Sequence, residues 1–130
     1  MTLQSVTPVF LVSDIAATLQ WYRTNLRFEG RAVPDEPPHT FGIMSRDGVE
    51  IFLQQLAGYE KPDLYHQRDG GVWHAYVHTE GVRDLYDAVS KTPEVVMVYK
   101  LRRREYGQVE FAIKDPNGYV LVFAQAETGR

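Results

Sequence analysis

The sequence predicts an α+β fold made of two β-α-β-β-β modules, written one after the other. Three observations predict it. The stretch FGIMSRDGVEIFLQQ at 41–55 returns without a gap as FAIKDPNGYVLVFAQ at 111–125, a constant offset of 70 from Phe41 to Phe111. Upstream of each copy, a short apolar run is followed by apolar residues at helical spacing, offset by 67 from Ile15 to Val82. Between helix and hairpin, each half carries one more strand-like run. Self-similarity at this period marks a duplicated supersecondary unit.

The elements follow in order. Thr7 to Val12 reads as a strand, with Pro8 suited to its start and Val9-Phe10-Leu11-Val12 following. Ser13 or Asp14 offers an N-cap. Ile15, Leu19, Tyr22 and Leu26 then form one helical stripe. Phe28 to Val33 is the next strand, and PDEPP at 34–38 is a loop. The hairpin 41–55 turns at Arg46-Asp47-Gly48, where glycine accepts positive φ. Residues 57–71, with Gly58, Pro62 and Gly70-Gly71, read as a linker. In the second half Trp73 to His78 is the strand and Thr79 the expected N-cap. Val82, Leu85, Tyr86 and Val89 make the helical stripe, Val95 to Leu101 the β-branched strand, and Asp115-Pro116-Asn117-Gly118 the turn of the last hairpin. The expected organisation is a single domain over 1–130, with a first module at 5–56 and a second at 72–126. Modules of this size are marginal alone, so the two are expected to share a core.

Composition narrows the function. The chain has 130 residues, 44% hydrophobic and 24% charged, an ordinary globular balance. No apolar run approaches the ~20 residues that span a bilayer. The start MTLQSVTPVF lacks the basic-then-apolar pattern of a signal peptide. There is no cysteine, which excludes disulfides, thiolate metal sites and thiol nucleophiles. A cytoplasmic protein that does not engage a membrane is the expectation. The net charge of −3 argues against a nucleic-acid partner and leaves room for a neutral or cationic small ligand. Aromatic residues, at 12%, are numerous enough for some to face that ligand. No phosphate-binding loop, dinucleotide fingerprint, HExxH helix or nucleophile elbow occurs.

The duplicated pattern resembles the vicinal oxygen chelate superfamily, which includes glyoxalase I, extradiol dioxygenases, fosfomycin resistance enzymes and bleomycin resistance proteins. The likeness runs from about Thr7 to Ala126. Its strongest local matches are to the bleomycin resistance proteins: Pro8-Val9-Phe10 before the first helix, the 41–52 hairpin, and YGQVEFAIKDPNG at 106–118. The resemblance implies a curved, U-shaped, mixed eight-stranded sheet around an open cavity, with the helices outside. It also implies a homodimer.

The superfamily's enzymes hold a divalent metal with His, Gln or Glu from the first and last strands of each module. Carried onto this chain, those positions are Thr7, Phe52, His74 and Val122. A catalytic metal needs about three protein ligands plus an open position, and only His74 is a usual ligand. His78 shares its strand face but stands roughly 13 Å along at ~3.3 Å per residue. Alternation places Glu50 on the face of Phe52, making it the best remaining carboxylate. The expectation is therefore no metal and no cofactor. The resemblance implies a binding protein that sequesters a partly aromatic compound or antibiotic without catalysis. Phe41 and Tyr106, with His74 where those proteins have tryptophan, take the positions that hold the flat part of the drug. Phe52, Val122 and Glu50 complete the expected ligand-binding set. The alternative is a metal-dependent lyase, isomerase or oxidoreductase with a displaced ligand set including His74 and Glu50. The run Lys100-Leu-Arg-Arg-Arg104 puts Lys100, Arg102 and Arg104 on one strand face by alternation. It reads first as a solvated, aggregation-resistant edge, and otherwise as a recognition site for a carboxylate or phosphate.

Overall fold

A computed structural model describes residues 1–127; the last three positions of the expected 1–130 span lie outside the described residues. The chain divides into two compact units, one covering Met1–Lys61 and one from Pro62 onward. In the first, β1 (Val9–Val12), α1 (Ile15–Leu26), β2 (Glu29–Val33), β3 (Phe41–Arg46) and β4 (Val49–Gln55) give β-α-β-β-β. In the second, β5 (Ala75–His78), α2 (Val82–Ser90), β6 (Val96–Arg103), β7 (Gln108–Lys114) and β8 (Val120–Ala126) repeat it, preceded by a short 3₁₀ turn at Tyr65–Gln67. The eight expected strands form two four-stranded mixed sheets of the same order, β1-β4-β3-β2 and β5-β8-β7-β6. In each sheet the first strand pairs parallel with the last, and the other two pairings are antiparallel. The parallel pair needs a crossover, which the helix supplies.

Helix α1 begins where Asp14, in extended backbone, accepts the Ala17 N–H on its carboxylate at 3.0 Å. It ends at Arg27, in the left-handed region at φ +56. Ile15, Tyr22 and Leu26 are buried against the sheet, and Tyr22 meets Phe28 edge to face at 5.7 Å. Each such side chain contributes roughly 1.5–3 kcal/mol by burial, an upper estimate. Leu19 is only half-buried, and it packs over Gly30, where a Cβ would stand 2.7 Å from Leu19 Cδ2. Thr18 is buried beside the stripe, its hydroxyl donating to Asp14 O at 2.8 Å.

The second helix is capped differently from the expectation. Gly81, not Thr79, is its N-cap, at φ +69 and with no side-chain cap. The Thr79 hydroxyl instead donates to Val77 O at 3.1 Å. The helix's first N–H, from Val82, reaches Gln125 Oε1 at 3.0 Å, and the matching N–H of Ile15 reaches Gln55 Oε1 at 2.9 Å. The paired glutamines of the repeat thus tie each helix start to the last strand of its own module. This satisfies one of the donors that every helix N-terminus leaves open.

Strand boundaries shift for local reasons. β1 starts at Val9, since Pro8 has no N–H; its carbonyl accepts from Phe52 N at 2.9 Å. β6 runs to Arg103 and shifts register twice against β7, between Met97 and Tyr99 and between Tyr99 and Arg102. Strict alternation therefore fails along this strand. The stretch expected as linker begins to pack from Pro62 on. Tyr65 lies on the inner cluster of the second sheet, and Asp63 meets Lys114 at 3.5 Å.

Helices and sheets share one face in each module. Phe10, Met44, Ile51 and Leu53 are buried on the α1 side, and Phe111, Ile113, Leu121 and Phe123 on the α2 side. Phe111 packs against Tyr86 of α2 at 5.2 Å and stacks on Phe123 at 5.4 Å. The opposite sheet faces carry the candidate functional residues.

Candidate functional site

In the first module the helix-free face presents Phe41, Ile43 and Phe52, all half-buried. Phe52 stands across from Ile43 and beside Val9, and Phe41 across from Gln54. Phe41 and Phe52 meet edge to face with centroids 5.1 Å apart. Glu50 is on the same face, as alternation requires, but exposed and across from Ser45.

In the second module the helix-free face is floored by Ala112, Val120 and Val122, and Tyr65, Trp73, Tyr76, Val98 and Tyr99 pack over that floor. Val122 is fully buried, between Tyr76 and Ala112 in register. His74 sits at the mouth of β5. Its backbone N–H donates to Val120 O, and its Nδ1 accepts from Val120 N–H, both at 2.9 Å. The imidazole is thereby held as the tautomer whose proton is on Nε2. The ring also stands edge-on to Tyr119 at 5.1 Å.

The centre of this face is Glu110, on β7, with no solvent exposure at all. Three phenols donate to its carboxylate. Tyr76 and Tyr106 each reach Oε1 at 2.8 Å, and Tyr99 makes a very short bond to Oε2. Arg104 Nη1 approaches Oε2 at 3.4 Å. A buried carboxylate is tolerated only when it is paired and hydrogen-bonded in this way. Burial, and then hydrogen bonding to Glu110, pushes the Tyr76, Tyr99 and Tyr106 hydroxyls above the ordinary phenol range. Ionising any of them would place a second negative charge against the carboxylate. Arg102 lies over the Tyr99 ring at 4.0 Å, and Arg104 over the Tyr106 ring at 5.2 Å. Trp73 tilts against Tyr76 at 5.7 Å, and its buried Nε1 has no hydrogen-bond partner among the described residues.

The structure thus brings Phe41 and Phe52 together on one face. It places Tyr106, His74 and Val122 in the other module. Glu50 shares the face of Phe41 and Phe52 but is exposed to solvent. Glu110, Tyr76 and Tyr99 lie outside the ligand-binding set expected from the sequence. Strand parity offered a signal for Tyr76, two residues from both His74 and His78. Tyr99 was hidden by the register shifts. The same shifts alter the reading of the basic run, since Arg102 and Arg104 converge on aromatic rings instead of forming a plain solvated edge.

The four positions that hold a metal in the resembling enzymes do not fit one here. Phe52 and Val122 end in carbon, Thr7 offers a neutral hydroxyl, and Nδ1 of His74 is engaged by the Val120 amide. Among the described residues no group of three or more His, Asp or Glu side chains is gathered to hold a metal ion. Nor, among them, is any helix long and apolar enough to cross a membrane.

Fold and site together define a duplicated β-α-β-β-β protein with Phe52 and Val122 on the helix-free faces of its two sheets. The model of the Glyoxalase/Bleomycin resistance protein/Dioxygenase superfamily matches residues 4–123, and the chain belongs to that superfamily. Among solved structures, a glyoxalase-related enzyme from Clostridium phytofermentans superposes with a TM-score of 0.72 at 15% identity, covering 97% of each chain. TioX from Micromonospora sp. ML1 gives 0.70 at 11% identity, over 98% of this chain and 99% of that one. The bleomycin-binding protein of Streptomyces verticillus, solved with copper(II)-bleomycin, gives 0.66 at 17% identity, over 100% of this chain and 99% of that one. At these identities the likeness establishes the fold. Comparison with curated proteins finds no match.

Proposed function

We propose that the protein binds a small, partly aromatic organic compound on a helix-free sheet face and sequesters it unchanged. One observation carries this reading. Two of the four positions that correspond to metal ligands in the superfamily's enzymes are Phe52 and Val122, and each stands among aromatic side chains. Flat molecules bind such surfaces by burial, about 25 cal/mol per Å² of apolar area. Ring contacts add about 0.5–1.5 kcal/mol each. A few of them reach the roughly 8 kcal/mol of micromolar binding. The bleomycin-binding protein, whose fold this chain shares, supports the reading as a binder of an organic compound. A homodimer in the cytoplasm belongs to the same reading.

The test is a thermal-shift screen followed by equilibrium dialysis, using bleomycin-family glycopeptides and a library of aromatic compounds. Saturable micromolar binding, with the compound recovered at unchanged mass, is expected. No stabilisation by any compound up to millimolar concentration would refute the reading. Stoichiometric divalent metal in protein purified without chelator, lost in His74→Ala, would replace it with a metal-dependent reaction.

A further inference from the structure

Overall charge and local charge disagree in this molecule. The chain carries a net −3, which suggests a cationic ligand, yet the hydrogen-bonding capacity left over around Glu110 is of the opposite kind. A carboxylate has about four lone-pair positions. Oε1 of Glu110 takes the hydroxyls of Tyr76 and Tyr106, and Oε2 takes the hydroxyl of Tyr99 and Nη1 of Arg104. Its acceptor capacity is filled by the protein itself, so an incoming ammonium group finds no free carboxylate oxygen.

The donors are in the reverse position. The guanidinium of Arg102 lies over Tyr99, 4.0 Å from the ring centroid, and makes no hydrogen bond or ion pair among the described residues. Arg104 spends only Nη1 on Glu110, at the long distance of 3.4 Å, and its guanidinium stands 5.7 Å from the same Tyr99 ring. Two guanidinium groups against one carboxylate leave this cluster net positive. Stacking on a ring leaves the in-plane N–H edge of a guanidinium open, the edge that grips a carboxylate through two parallel bonds. The buried Nε1–H of Trp73, on the same sheet face, is one more donor lacking an acceptor.

We propose that this cluster is the subsite for the carboxylate of an aromatic acid. The acid group would sit on Arg102 and Arg104, with the ring over the Tyr106 side of the Glu110 network. The three phenols and Glu110 then act as the rigid base that holds Arg104 in place. This proposal rests on the preceding reading and narrows it by naming the ligand's charge.

The experiment compares three probes on one ring, 2-naphthoate, 2-naphthamide and 2-naphthylmethylamine, by isothermal titration of the intact protein at fixed ionic strength. Naphthoate is expected to bind at least about tenfold more tightly than the other two, as charge-assisted bonds require. Arg102→Gln should reduce naphthoate binding to the level of the amide. Arg102→Lys, which keeps the charge and loses the fork, should fall between. An amine that binds as tightly as the acid would overturn the proposal while leaving an aromatic-binding protein in place. So would an acid preference that survives Arg102→Gln. Failure of all three probes to bind at millimolar concentration would overturn the proposal, while the reading beneath it stands or falls with the library screen above.

Discussion

The two modules have the same strand order, the same parallel closure and the same glutamine at the helix start, yet their helix-free faces differ in chemistry. The first presents Phe41, Ile43 and Phe52, with Glu50 exposed at the side. The second buries a carboxylate beneath three tyrosines and an arginine. The halves agree where helix packs on sheet and diverge on the face that could meet a ligand. In a duplicated fold, packing constrains one face of each strand and leaves the other to function.

The sharpest way to break this contrast is to remove the carboxylate of each module. Glu110→Ala strands three phenols and Arg104 around an emptied buried position, and should cost about 3–5 kcal/mol in urea unfolding. Glu50→Ala, on an exposed side chain, should stay within about 0.5 kcal/mol. Similar losses for both would show that Glu110 is not the structural centre of its face.

Alkaline titration probes the same network without mutation. Tyr76, Tyr99 and Tyr106 hold their protons above the ordinary phenol range in the folded state. From about pH 10 upward the unfolded chain loses those protons while the folded chain keeps them. Their contribution to stability is therefore complete below about pH 10 and declines as pH rises beyond it. Ultraviolet phenolate absorbance should show Tyr76, Tyr99 and Tyr106 among the tyrosines that ionise late, and Glu110→Gln should bring these three earlier. Eight tyrosines titrating together would contradict the network.

The helix ties sharpen the shared half of the comparison. Gln125→Ala frees the Val82 N–H and should cost about 0.5–2 kcal/mol, the range of a lost helix cap. Gln55→Ala should cost somewhat more, because its amide also donates to His39 O at 2.9 Å. The smallest effect is expected at the surface pair of Arg103 and Glu127, 2.6 Å apart but largely solvated on the arginine side. Arg103→Ala should change stability by no more than about 1 kcal/mol, and less in high salt.

What the sequence made legible follows from periodicity. The stripe Ile15, Tyr22 and Leu26, the turns at Gly48 and Gly118 and the gapless repeat are local patterns, and local patterns suffice to place elements. Phe52 and Glu50 on one face followed from strand alternation alone. The Glu110 network did not follow, because its partners come from β5, β6 and the turn before β7 and meet only through sheet pairing. Two register shifts in β6 then moved Tyr99, Arg102 and Arg104 out of simple alternation. The capping role of Gln125 was visible only as a repeated letter, and Thr79 looked the better cap because hydroxyl caps are the commoner solution.

The central claim is that aromatic and aliphatic side chains, at positions used elsewhere for metal, bind an organic ligand without metal. Its most direct test is the affinity for the aromatic compound that stabilises the protein most, measured by titration on chelator-treated protein and again with zinc, nickel or manganese restored. Equal affinity in every case is the expected result. Binding that vanishes with the chelator and returns with one cation would contradict the claim.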